Sequence, residues 1–163
     1  MTAFAGATLD AVYTAAQLSG SESYSAPGIG DIYVSHDNKT YRFVRYRAGA
    51  GSVAAVAGNV AYIYAPSGTS TGVSNEVTSD LSDSAEIGAG VLQAVIPDGG
   101  YGWIQVKGVA TLTPALTAGS DGDPLTPTGS TDGTLDLATA ITDDICAVAV
   151  DASAKIVLCN FKH

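Results

Sequence analysis

The sequence predicts a mainly β protein, an antiparallel β-sandwich or small β-barrel with an extended N-terminal arm. Three observations lead there. Short stretches of alternating apolar and polar residues recur at least eight times. The segments between them are crowded with Gly, Asp, Asn, Pro and Ser, and few stretches carry the 3.6-residue period of a helix.

Residues 1–30 contain no Lys or Arg and are rich in Ala, Ser, Thr and Gly. Leu9, Val12, Tyr13 and Ala16 have helical spacing, which permits a short helix, and Ser19 to Gly30 then reads as linker. This is the arm. It is either terminal disorder or a tether laid over a neighbouring subunit. With so little apolar surface it is expected to order on a partner and to matter for docking rather than folding. Residues 31–163 form the β-rich domain, open to a further division into sub-modules at 31–90 and 91–163.

From Asp31 the alternation sharpens. A two-residue turn at Asp37-Asn38 would pair Val34 with Tyr41 and Ile32 with Phe43, leaving Tyr33, Ser35, Thr40 and Arg42 outside. Lys39, Arg42, Arg45 and Arg47 are four of the seven basic residues, and no acid occurs between Asp37 and Glu76. Two readings stand for this basic strand: a solvated face balancing the chain's own carboxylates, or a docking patch for an acidic partner.

Ser52 to Ala65 reads as a buried strand or strand pair, with Gly58-Asn59 as a turn. Pro66 to Gly72 is a loop, Val73 to Asp80 another strand, and Leu81 to Gly90 an exposed connection. Val91 to Leu112 forms the central hairpin. A three-residue loop, Asp98-Gly99-Gly100, sets Ile96 opposite Gly102, Ala94 opposite Ile104 and Leu92 opposite Val106, with Gly100 in the left-handed conformation. Tyr101, Trp103, Gln105 and Lys107 fall on the opposite face. Beyond it lie a turn-rich stretch with a short or edge strand at Pro124 to Thr128, a strand at Thr134 to Ala140, and a closing hairpin of Ile145 to Val150 and Ile156 to Phe161. That hairpin would set Cys146 directly opposite Cys159.

Composition narrows function. A formal net charge of -9 argues against nucleic acid as a partner, because phosphate contacts need an excess of Lys and Arg. No apolar run reaches the length of a membrane span, and the first residues lack the basic start of a secretion signal, so a soluble, unexported chain is expected. Two cysteines are too few for a disulfide scaffold, and reduced, buried thiols are favoured over a bridge. Asp121-Gly122-Asp123, Asp132-Gly133 and Asp136 raise calcium as a ligand. They lack a complete loop pattern, and β-turn chemistry is favoured. His36 and His163 have no evident carboxylate to orient them, and no phosphate loop occurs. The expectation is a non-enzymatic protein without metal or cofactor. Tyr101 and Trp103 are read as packing or subunit contacts rather than as a platform for a sugar or base.

Two segments resemble bacteriophage head decoration, or capsid cement, proteins. They are IGDIYVSHDNKTYRFVRYRAGAGSVAAVAGNVAYIY, Ile29 to Tyr64, and GWIQVKGVATLTPALTAGSDGDPLTPTGSTDGTLDLATAITDDICAVAVDASAKIVLCNF, Gly102 to Phe161. The longer segment is similar to the family's recurrent plan of a strand, a Gly-Asp turn before the next strand (Gly122-Asp123-Pro124-Leu125), a glycine turn and a closing hairpin. The resemblance implies a structural virion protein, made in the host cytoplasm and bound to the outer surface of the phage capsid. It would stabilise the shell by clamping neighbouring subunits of the major capsid protein. It further implies a homo-oligomer, with a trimer favoured. Arg42, Arg45, Arg47, Tyr101 and Trp103 are then the candidate contacts to the capsid or an adjacent protomer. The alternative is a fibre or tail-associated module recognising host glycan, with Tyr33, Tyr46, Tyr101 and Trp103 as candidate platforms.

Overall fold

The computed structural model describes residues 7–19, 26–65 and 75–162. Half of the expected linker (residues 20–25), the loop from Pro66 to Gly72, the first two residues of the strand expected at Val73 to Asp80, and His163 lie outside the described residues. The described chain is mainly β. It comprises β1 (Ile32–Val34), β2 (Thr40–Tyr46), β3 (Val60–Tyr64), β4 (Glu76–Thr78), β5 (Ser84–Leu92), β6 (Tyr101–Thr111), β7 (Pro124–Thr126), β8 (Asp136–Leu137), β9 (Ala147–Asp151) and β10 (Ile156–Asn160). A one-turn helix, α1 (Ala15–Leu18), precedes them in the arm, capped by Thr14 and Gln17.

The long strand β6 is the spine. Its first half pairs with β2 on one edge and β5 on the other, closing a five-stranded barrel in the order β2-β4-β3-β5-β6. Its second half pairs with β10, from which β9, β7 and β8 continue outward as an extension. The two halves meet at Gly108, whose φ of +95° is costly for any residue with a Cβ. A Cβ there would also lie 3.0 Å from Lys39 Cγ. The Gln105 side-chain amide donates to the carbonyls of Lys107 and Val109 on either side of this bend.

Three expected registers shift, each for a local reason. In the first hairpin Asn38 adopts φ +62° and the loop has three residues, so Tyr33 faces Tyr41 and Ile32 faces Arg42. A one-residue slip inverts the faces. Ile32 and Val34 therefore leave the aromatic face and are exposed, while Arg42 and Thr40 are buried because β2 is covered on both faces. In the central hairpin Leu92 faces Ile104, not Val106, and β5 ends there. Gly99 takes the left-handed conformation (φ +73°) in place of Gly100, and its N–H donates to the Tyr46 carbonyl at the end of the neighbouring β2. In the closing hairpin a bulge between Ile156 and Val157 places Cys159 opposite Ala147, not Cys146.

Leu81 to Gly90 is not an exposed connection, since β5 begins at Ser84. Its signal is hidden because two inward positions are glycines that neighbours require. A Cβ on Gly88 would lie 2.7 Å from the Phe161 ring, and one on Gly90 2.8 Å from the Gln105 carbonyl. The strand expected at Thr134 to Ala140 shrinks to the two residues of β8.

Two apolar clusters result. The larger fills the barrel and underlies the extension, with Tyr46, Tyr62, Leu92, Ile104, Leu112 and Leu125 fully buried. The Tyr62 hydroxyl closes this core by donating to the Thr134 carbonyl and accepting from the Thr134 N–H. The smaller cluster lies outside the barrel wall. There Tyr41, Phe43, Tyr101 and Trp103 are covered by Ala7, Leu9, Tyr13 and Leu18 of the arm and by Tyr33.

Candidate functional site

The basic strand does not form one outward patch. Arg42 is only 5% exposed, on the inner side of β2, and burial pushes its pKa below the ordinary guanidinium value. As a surface contact it is corrected: β2 is buried on both faces, and the face that holds Arg42 also holds the core residues Val44 and Tyr46. Arg45 Nη1 lies 3.2 Å from the Glu76 carboxylate, and its guanidinium sits 5.8 Å from the centre of the Tyr101 ring. Arg47 is half-buried with its guanidinium 5.9 Å from the Tyr64 ring centre. Lys39 is 3.6 Å from Asp37. Of the three arginines, Arg47 keeps exposed surface with no carboxylate within salt-bridge reach among the described residues.

The aromatic candidates lie inside. Tyr101 and Trp103 are buried beneath the arm, Trp103 packing edge-on against Phe43 at 5.2 Å and Tyr33 at 6.4 Å. Tyr46 is fully buried, with its hydroxyl donating to the Val53 carbonyl. Tyr33, stacked on Tyr41 at 6.2 Å, is half-buried.

The acidic residues cap turns. Asp121 accepts from the Ala152 N–H, Asp123 from Ser120 N–H, Asp132 from Leu81 N–H and Asp136 from Leu137 N–H. Asp80 accepts from Gly51 N–H and from Ser82, while Asp83 accepts from Ala50 N–H, so two carboxylates hold the loop of residues 48–53. No group of three His, Cys, Asp or Glu side chains with metal-holding geometry occurs among the described residues. His36 is exposed in the β1–β2 loop. Cys146 and Cys159 are free and buried; burial pushes both thiols up, Cys159 to about 12.

The exposed feature with the chemistry of a contact is the outer face of the extension. Register places Val109 of β6, Leu158 of β10, Val148 of β9 and Pro124 of β7 in one row across four strands. Val109, Leu158 and Val148 are 46%, 46% and 38% exposed, and Val150 two residues along β9 is 50% exposed. Single exposed aliphatics are ordinary, but a contiguous apolar sheet face is the mark of a contact surface. At the bend of β6 a groove of about 360 Å³ opens beside this row, between Ile145, Val148 and Leu158, with Asn38, Lys107 and Asn160 at its rim.

No protein-family model, curated protein or solved structure matches the chain. The row itself was not anticipated from sequence. Its signal lies in side-chain size: in β9 and β10 the small Ala147, Ala149 and Cys159 face inward while Val148, Val150 and Leu158 face out. Alternation alone does not say which set is buried.

Proposed function

We propose that the chain is a structural virion protein that docks on the outer surface of a phage capsid and stabilises the shell by bridging neighbouring major capsid subunits. The observation that carries the proposal is the apolar row Val109, Leu158 and Val148, aligned side by side across three paired strands of an acidic chain. Such a face gains free energy only when another surface covers it. The resemblance of Ile29 to Tyr64 and Gly102 to Phe161 to decoration proteins supplies the kind of surface. On this reading the protein acts as a homo-oligomer, a trimer favoured, and its work is interface burial rather than catalysis or cofactor chemistry. Arg47 at the barrel surface is the arginine best placed to set register against capsid carboxylates. The glycan-binding alternative needs exposed rings, and Tyr46, Tyr101 and Trp103 are buried.

The test is co-sedimentation with purified phage shells lacking the protein. The parent chain should pellet with the shells. A chain carrying Val148→Asp and Leu158→Asp should remain in the supernatant with its melting temperature little changed, because both side chains already face solvent. Equal pelleting of the two chains, or no pelleting of the parent, refutes the reading.

A further inference from the structure

The arm is attached by little. Tyr13 and Tyr101 exchange both backbone hydrogen bonds, each 2.9 Å, but this is a single bridge, and no residue of α1 is buried. Under the arm lie four buried rings, Tyr41, Phe43, Tyr101 and Trp103, which would become one exposed apolar patch if it lifted. The closed arrangement also has a defect. The indole Nε1 of Trp103 and the Nε of Arg45 are buried with no hydrogen-bond acceptor among the described residues. A donor buried in this way loses hydration without compensation, so closure over Trp103 is opposed by the indole it covers. The cleft requires a cover yet holds its own cover weakly.

We propose that this cleft is a receptor for the arm of a second copy of the chain, so that in an assembly neighbouring copies exchange residues 7–18. The chemistry of the occupant is already displayed. The edge at Tyr101 takes an extended segment through both of its backbone groups, and Phe43 takes the Tyr13 ring edge-on at 5.6 Å. An identical segment from a neighbour makes identical contacts, so exchange sacrifices none of them. Reach permits it: residues 19–28, fully extended, span up to about 35 Å, comparable with the diameter of a domain this size. In a crowded array the neighbour's arm competes at an effective concentration similar to that of the chain's own. The inference goes beyond the decoration reading and does not depend on it.

Trp103 is the only tryptophan in the chain, so its emission reports directly on the cleft. A synthetic peptide of residues 7–19 with a dansyl acceptor is titrated into the full chain. Saturable energy transfer is expected, about tenfold weaker for a peptide carrying Tyr13→Ala. Transfer should be tighter for a full chain carrying Tyr13→Ala, whose own arm competes less. Absence of transfer with both chains, or equal transfer with both peptides, overturns the proposal. A second measurement uses chains carrying Tyr13→Cys or Tyr101→Cys, mixed and oxidised; backbone partners of this kind are spaced for a disulfide. Disulfide-linked pairs between the two species are expected. Monomers alone, while a chain carrying both substitutions closes on itself, would show that the arm stays home. Chains that exchange arms but ignore shells leave this inference standing and remove the decoration reading.

Discussion

At the scale of single residues, Arg45 separates a structural charge from a surface one. Its ion-pair partner Glu76 is buried, so Arg45→Ala strips a buried carboxylate of a charged hydrogen bond and should cost about 1–3 kcal/mol. Arg47 has no such carboxylate among the described residues, and Arg47→Ala should move stability by less than about 1 kcal/mol. Paired thermal melts decide this; equal shifts would mean that the Arg45–Glu76 pair is not what stabilises the β2–β4 junction. Asp80 makes a different prediction. Burial alone would raise its pKa, but hydrogen bonds from Ser82 and the Gly51 N–H outweigh that and hold it below the usual carboxylate value. A lowered folded pKa stabilises above the unfolded value, about 3.9, and that stability is lost as pH falls through the folded value. Melting temperature should therefore drop below about pH 4, and Asp80→Asn should both lower it near neutrality and flatten that acid limb. A variant with the parent's acid limb would assign the loss to other carboxylates.

At the scale of elements, the arm illustrates what sequence could and could not tell. Helical spacing of Leu9, Val12, Tyr13 and Ala16 permitted a short helix, but the helix is one turn that holds only Ala16 of the four, and Tyr13 instead bridges Tyr101 as a strand would. Of the rings it covers, Tyr101 and Trp103 look like an outward face in the sequence, because alternation cannot reveal a strand covered on both sides. Removing residues 1–25 should therefore do more than impair docking. Losing the half-buried Leu9 and Tyr13 contacts should cost about 2 kcal/mol and expose the aromatic cluster to aggregation. An unchanged melting transition would return the arm to a purely docking role. The strands themselves were largely legible from alternation, and the turns from Gly, Asp and Asn. Registers were not, because Asn38, Gly99 and Lys155 each take φ > 0 and change loop length by a residue or two. The contact row on β6, β10 and β9 followed the same logic: its residues were visible, and their facing was not.

At the scale of the whole molecule, β6 belongs to both the barrel and the extension, and the boundary considered at 90/91 falls inside β5. The two halves therefore share a wall, and residues 31–162 should melt in one cooperative transition. Two resolved calorimetric transitions, or a stable fragment ending at residue 90, would contradict this. The barrel seam has a further consequence, for time rather than stability. Its closing pair joins Phe43 to Trp103 across a long stretch of intervening chain, and the β2–β4 pairing beside it is parallel. Contacts so distant along the chain form only after much loop entropy has been lost, which places chains of this kind at the millisecond-to-second end of folding rates. The single indole stands on that seam, so a stopped-flow trace of its emission should follow the slowest step of refolding, while backbone circular dichroism runs ahead of it as the C-terminal hairpin forms first.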